Sequence, residues 1–264
     1  MNNNLAIAIQ ASLNAGKAIL EVYSSNDFNV EIKGDNSPLT RADKNADDVI
    51  SSYLINTDIP IISEENKQLD YSERKNWKQC WIVDPLDGTK EFIKRNGEFT
   101  VNIALIENGN PILGVIYVPV SKTLYFTSED ASSSLKIKLN SENESIDYIL
   151  KNASEIKPQI EEPSVVKIVG SRSHLNSDTK NFISEIEKNN EVEIVSKGSS
   201  LKFCLVAEGK ANIYPRYAPT MEWDTAAGQA ICQAAGVKVI NNETQNPLQY
   251  NKENLLNPYF LVSI

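Results

Sequence analysis

One stretch limits this chain more than any other: Trp81-Ile82-Val83-Asp84-Pro85-Leu86-Asp87-Gly88-Thr89. An apolar run the length of a buried strand stops at a carboxylate, which leaves Asp84 at a sheet edge. Pro85 fixes φ and withholds a backbone N–H, so the ladder is expected to end there. Asp87 follows three residues later, and a tight turn brings both carboxylates to one side. The turn leaves the Leu86 carbonyl available, a good ligand for a hard cation. Gly88 lets the backbone approach a ligand closely, Thr89 adds a hydroxyl, and the amides of Gly88, Thr89 and Lys90 suit an anion at a helix start. The same residues also make an ordinary turn. The weight therefore rests on what else converges with them.

A second apolar run, Ile59-Pro60-Ile61-Ile62, also ends in acid, at Ser63-Glu64-Glu65, and Asp224 follows Trp223 at the start of a helical stretch. Like carboxylates gathered at one buried edge repel unless a cation sits between them. Three or four would meet here, and a divalent metal is the natural compensation. With one histidine and 35 Asp and Glu residues, oxygen ligands dominate, which favours Mg²⁺, Mn²⁺ or Ca²⁺ over zinc.

Apolar residues at helical spacing from Leu5 to Val22 predict an amphipathic first helix, followed by an extended piece from Phe28 to Lys33 and a polar turn at 34–38. Thr40 is placed to cap a helix over 41–54, with Asp43 in its first turn. Strands at 99–106, 111–119 and 123–126, joined by turns at 108–110 and 120–122, read as an antiparallel meander. The Ser-, Asn- and Glu-rich segment 128–163 reads as a surface excursion with one or two edge strands. It divides an N-terminal α+β half, 1–163, from a C-terminal α/β half, 164–264, in which strands at 165–169, 192–195, 211–214, 237–240 and 259–264 alternate with helices at 177–188, 199–208 and 224–235.

The net charge of −9 argues against gripping a nucleic-acid polymer by bulk field. It leaves room for a phosphorylated small molecule held by local cations or metals. Cys80, Cys204 and Cys232 are scattered, odd in number and without a CxxC pair, so they read as buried small hydrophobes in a reducing compartment. The N-terminus lacks the basic start and continuous apolar stretch of a signal peptide, and no uninterrupted apolar run has the length of a membrane span. The expected location is the cytoplasm; oligomeric state is not legible.

Glu64-Glu65, the stretch from Trp81 to Thr89, and Trp223-Asp224-Thr225-Ala226-Ala227-Gly228 together resemble the three signature motifs of the inositol-monophosphatase superfamily, in order and across most of the chain. The resemblance implies a layered αβαβα sandwich with a metal-dependent phosphatase site between its halves. It implies two or three Mg²⁺ ions, one held by Glu64, Asp84 and the Leu86 carbonyl, another by Asp84, Asp87 and Asp224. It further implies that Thr89 hydrogen-bonds the attacking water and that Asp43 accepts from the Thr89 hydroxyl. Asp43 has a second reading, as a first-turn acid that stabilises its helix.

The run from Lys90 to Leu105 and the run from Gly198 to Gly209 resemble bacterial 3'(2'),5'-bisphosphate nucleotidases of the CysQ type. That narrower resemblance implies hydrolysis of the 3'-phosphate of adenosine 3',5'-bisphosphate, a by-product of sulfate assimilation, and of its sulfated form. It also implies inhibition by Li⁺ and, in some bacterial relatives, a peripheral place at the inner membrane. A nucleotide with two phosphates needs an anion site away from the metals. Lys202 and Arg216 are the candidates, with Ser199 and Ser200 as donors and His174 as a nucleotide contact. Glu64, Leu86, Asp87, Gly88, Thr89 and Asp224 border the phosphate to be cleaved. As ordinary solvated groups, Lys202, Arg216 and His174 would need no such role. The rival readings are an inositol monophosphatase or sugar-bisphosphate phosphatase and, more distantly, a non-catalytic binding homologue.

Overall fold

Residues 3–25, 31–32, 38–141, 143–158, 164–170 and 176–264 are described, from a computed structural model. The chain opens with α1 (Asn3–Ser24), β1 (Glu31–Ile32), β2 (Pro38–Leu39), α2 (Arg41–Leu54), β3 (Ile61–Ser63), α3 (Tyr71–Arg74), β4 (Gln79–Asp87) and α4 (Thr89–Ile93). It continues through β5 (Thr100–Glu107), β6 (Asn110–Val118), β7 (Thr123–Thr127), β8 (Ser134–Lys138), α5 (Ile146–Asn152) and β9 (Ser154–Ile156). The remainder is β10 (Val165–Gly170), α6 (Ser177–Glu187), β11 (Glu191–Ser196), α7 (Leu201–Ala207), β12 (Ile213–Arg216), α8 (Ala226–Ala234), β13 (Lys238–Asn241) and β14 (Phe260–Ser263).

Strands β3 to β9 form one seven-stranded sheet in chain order, parallel only between β3 and β4. Its strands are apolar on both faces because both are covered. Along β4, Trp81 and Val83 pack with α1 and α2, while Cys80 and Ile82 point to the opposite side. Along β5 the same alternation sends Val101, Ile103 and Leu105 one way and Ala104 and Ile106 the other. A second sheet, in the order β11-β10-β12-β14-β13, closes the far side. Between the sheets lie α7 and α8, and α6 packs on the outer face through Ile183 against Val166 and Ile168. The result is the five-layer αβαβα arrangement that the motifs imply.

The central helix sits very close to its neighbours. A Cβ on Gly114 of β6 would lie 2.6 Å from the Ala227 carbonyl oxygen of α8, and a Cβ on Gly228 would lie 2.5 Å from the Phe203 ring of α7. Helix α1 meets the length and mean hydropathy of a membrane span, yet more than half of that window is buried against α2 and the first sheet.

Several local expectations change. The ladder of β4 does not stop at Pro85; a bulge between Asp84 and Asp87 carries the proline, and pairing resumes with Asp87 opposite Thr100. Asp224 does not begin a helix but ends a single 3₁₀ turn, Glu222–Asp224, ahead of α8. The helix expected from Ser199 starts at Leu201, because Ser199 takes a left-handed φ of 44°. Segment 128–163 carries the edge strands expected of it, β8 and β9, and goes further: Ile137 and Leu139, together with Ile149 of α5, join the core. The second sheet is mixed, since β14 runs antiparallel to both β12 and β13.

Candidate metal and phosphate site

The first two acids come from the bulge of β4. Asp84, almost fully buried, accepts the Leu86 N–H on Oδ1 at 3.1 Å, which holds the turn through Pro85. Asp224 arrives from the other half of the chain, its Oδ2 accepting the Met221 N–H at 2.7 Å. Ligand oxygens of Asp84, Asp87 and Asp224 lie within 4.8 Å of one another. Glu64 follows β3 directly, its N–H donating to the Val83 carbonyl at 3.2 Å, so it stands beside this trio and outside it.

Asp84 and Asp224 are pushed in the same direction. Burial pushes the Asp84 carboxyl well above its ordinary range, and Glu64, Asp87, Asp224 and Asp43 add to the push. Asp224 is raised to about 7, by burial first and by Asp87 next. Each shift states that the local field disfavours the carboxylate. A donor set made only of oxygens, gathered against its own repulsion, fits a hard divalent cation.

Asp43 shows why its two readings are compatible. Its Oδ2 accepts the Thr40 N–H at 2.8 Å and the Thr40 hydroxyl at 2.6 Å, while the Thr40 oxygen accepts the Ala42 N–H at 3.2 Å. One carboxylate oxygen therefore closes the helix cap. The other, Oδ1, accepts the Thr89 hydroxyl at 3.1 Å. Thr89 begins α4 directly after Gly88, whose φ of 97° turns the chain out of β4. The Thr89 hydroxyl also lies 3.4 Å from the Leu86 carbonyl.

A cavity of about 110 Å³ is lined by the acids Asp87 and Asp224 and by the cations Lys202 and Arg216. A larger cleft of about 560 Å³ shares Asp87, Ser199, Lys202 and Arg216 and extends past Gly88 to Lys90, Lys94 and Lys197. Lys202 Nζ donates to the Ser199 carbonyl at 2.7 Å and lies over the Tyr214 ring; burial pulls its ammonium below the usual lysine range. Arg216 donates from Nη2 to the Pro219 carbonyl at 3.0 Å, and its buried Nε has no hydrogen-bond partner among the described residues. Arg95, in contrast to Lys90 and Lys94, serves the fold: it donates to the Tyr23 and Ser25 carbonyls at the end of α1. His174 lies outside the described residues.

Ser200 turns inward. Its hydroxyl is 2.7 Å from Asp87 Oδ2 and 3.2 Å from the Asp224 carbonyl, and it accepts from Asn102 Nδ2 at 2.9 Å. Asn102 in turn accepts the Thr100 hydroxyl at 2.9 Å. Neither Asn102 nor Thr100 stands out in the sequence as a site residue. Their signal was present: two polar residues on one face of β5, in line with Ala104 and Ile106, where a buried polar group calls for explanation. Glu222 and Arg74, both buried, were also passed over. The three cysteines are buried and unbridged.

Residues 1–259 match the inositol monophosphatase family. The 3'(2'),5'-bisphosphate nucleotidase CysQ of Escherichia coli (strain K12) is 44% identical over 263 residues, covering 97% of this chain and 97% of that protein. The corresponding protein of Haemophilus influenzae is 33% identical over 266 residues, covering 99% and 91%. Among solved structures, CysQ from Bacteroides thetaiotaomicron aligns with a TM-score of 0.89 at 49% identity, covering 100% of this chain and 97% of that one. An IMPase of Thermotoga maritima shares the fold at a TM-score of 0.73 and 22% identity, covering 99% and 92%.

Proposed function

The chain belongs to the inositol monophosphatase family, and from that premise we propose that it is a 3'(2'),5'-bisphosphate nucleotidase, a divalent-metal-dependent phosphomonoesterase that converts adenosine 3',5'-bisphosphate to AMP. One observation carries the proposal: converging carboxylates share a cleft with two cations, Lys202 and Arg216. A monophosphate uses only the first feature, whereas a nucleotide with two phosphates uses both. The near-full-length likeness to CysQ nucleotidases supports the same choice. The sulfated form, 3'-phosphoadenylyl sulfate, presents two anions in the same places and is proposed as a second substrate. The reading places the enzyme in the cytoplasm with these nucleotides.

Asp84, Asp87, Asp224, Glu64 and the Leu86 carbonyl would hold Mg²⁺, in two or three sites. Bound there, the ions supply charge neutralisation for the phosphoryl group and acidity for a water. The remaining work belongs to the chain. Thr89 commits its one hydroxyl proton to Asp43 Oδ1, which leaves the Thr89 oxygen to accept a hydrogen bond from the attacking water and orient it. Asp43 cannot swing away, because the cap of α2 holds its other oxygen. Lys202 and Arg216 hold the second phosphate; an arriving anion favours the charged form that burial disfavours on Lys202.

Phosphate release from adenosine 3',5'-bisphosphate and from inositol 1-phosphate, each with Mg²⁺ and with a chelator, tests the proposal. The nucleotide should be strongly preferred and the chelator should abolish turnover. A preference for inositol 1-phosphate would sink the substrate assignment and leave the metal chemistry standing.

A further inference from the structure

The polar chain that ends on Asp87 runs in one direction. Thr100, Asn102 and Ser200 are buried in a region otherwise packed with apolar side chains. Because the Asp87 carboxylate can only accept, the Asn102 amide faces it with its NH₂, toward Ser200 Oγ at 2.9 Å and Asp87 Oδ2 at 3.4 Å, and its Oδ1 accepts the Thr100 hydroxyl. With its oxygen accepting from Asn102, Ser200 has one proton left to give, and Asp87 Oδ2 at 2.7 Å is a nearer acceptor than the Asp224 carbonyl at 3.2 Å. The Ser200 proton fixes the rotation of that carboxylate, while Asn102, at 3.4 Å from the same oxygen, acts on it chiefly through its shorter bond to Ser200. The chain also spans both halves of the molecule. Asn102 sits on β5, Ser200 stands just before α7, and the Asp224 carbonyl belongs to the turn before α8.

From this geometry we infer that Asn102 is a positioning residue for the carboxylate centre, acting through Ser200 to hold Asp87 in register with Asp224. The inference rests on the reading of Asp84, Asp87 and Asp224 as metal ligands. A buried amide in an apolar strand costs stability unless every hydrogen bond is made. Here those bonds converge on one acid of the centre, as the outer partners of metal ligands do.

The test is calorimetric titration of the chelator-stripped, full-length protein with Mn²⁺ and no substrate, on wild type, Asn102→Ala, Ser200→Ala and the double variant. In parallel, kcat and KM for adenosine 3',5'-bisphosphate are measured at graded Mg²⁺, and Tm is recorded for each protein. Each single variant should weaken Mn²⁺ binding about 10- to 100-fold, the range typical of lost outer partners. The Mg²⁺ needed for half-maximal rate should rise by the same factor and KM for the nucleotide by less. The double variant should be no weaker than the weaker single one, because the two residues act in series. Ser200→Ala removes a hydroxyl without opening a large hole, so it decides the matter if Asn102→Ala fails to fold. Unchanged Mn²⁺ affinity in Ser200→Ala, or full additivity of the two losses, would overturn the inference. A wild type that takes up no Mn²⁺ would sink the metal centre itself, a failure distinct from equal affinities in wild type and variant. Mn²⁺ uptake without nucleotide turnover would defeat only the substrate assignment.

Discussion

Glu222 and Asp224 sit two residues apart on the same 3₁₀ turn, and the fold treats them in opposite ways. Glu222 is fully buried and fully answered. Its Oε2 accepts the Asn251 N–H at 2.6 Å, and its Oε1 accepts the Lys252 N–H at 3.0 Å and the Lys252 ammonium at 2.5 Å. Arg74 completes the knot from the other side, donating to Asn251 Oδ1 and to the carbonyls of Lys252 and Glu253. Burial raises Glu222, and Lys252 pulls it back. Asp224 and Asp84 are raised by burial and then raised again by other carboxylates, and the Met221 N–H and Arg216 only partly draw Asp224 back. Burial alone therefore does not distinguish a binding acid from a structural one. The sign of what surrounds it does.

That contrast can be broken by experiment. The largest effect belongs to Asp84→Asn, which should cost about 1,000-fold or more in kcat/KM, the equivalent of several kcal/mol of transition-state stabilisation. The same substitution should raise the Tm of chelated protein by relieving repulsion. Glu222→Gln should do the reverse. It loses about 2–3 kcal/mol of stability in denaturant melts, because Lys252 is left with a weakened partner, while Mn²⁺ binding survives. Equal losses of Tm in the two variants would dissolve the distinction between the two acids.

A smaller effect lies in pH. The folded state holds a proton on Asp224 up to about pH 7, whereas the unfolded chain releases it near the ordinary carboxylate value of 3.8. Between those points the folded form binds more protons, so stability declines as pH rises through the window. Calorimetric Tm of chelated protein should therefore fall by several degrees from about pH 4 to about pH 7, and saturating Mg²⁺ should flatten the slope. A metal-independent slope would count against the centre. The smallest effect is Thr40→Ala, worth about 1 kcal/mol as a lost helix cap. Its diagnostic feature is a parallel fall in kcat, because Thr40 also steadies the oxygen pair of Asp43 that receives the Thr89 proton. A stability loss with kcat untouched would confine Thr40 to the cap.

Local signals carried much of this architecture. Thr40 and Asp43 announced the start of α2, the meander from β5 to β7 was written in its turns, and the acids of β4 stood out at the end of an apolar run. What escaped were features decided by tertiary contact. Pro85 forbids a ladder bond locally, but a bulge absorbs it once β5 is alongside. Asn102 looked like one more strand residue because its partner, Ser200, lies 98 positions away. Glu222 carries no local signal, since the loop that neutralises it comes later in the chain. The two strands expected within 128–163 are there, but the core contacts of Ile137, Leu139 and Ile149 depend on the sheet they join.

The closeness of α8 to its surroundings has a metrical consequence. The helix is gripped between bare backbone at Gly114 and its own bare backbone at Gly228, and Asp224 rides just ahead of its first turn. The gap from that acid to Asp84 and Asp87 is thus gauged by two hydrogens where side chains would otherwise stand. A single methyl at either point would act as a shim, prising the helix outward and widening the jaw that measures an ion's radius.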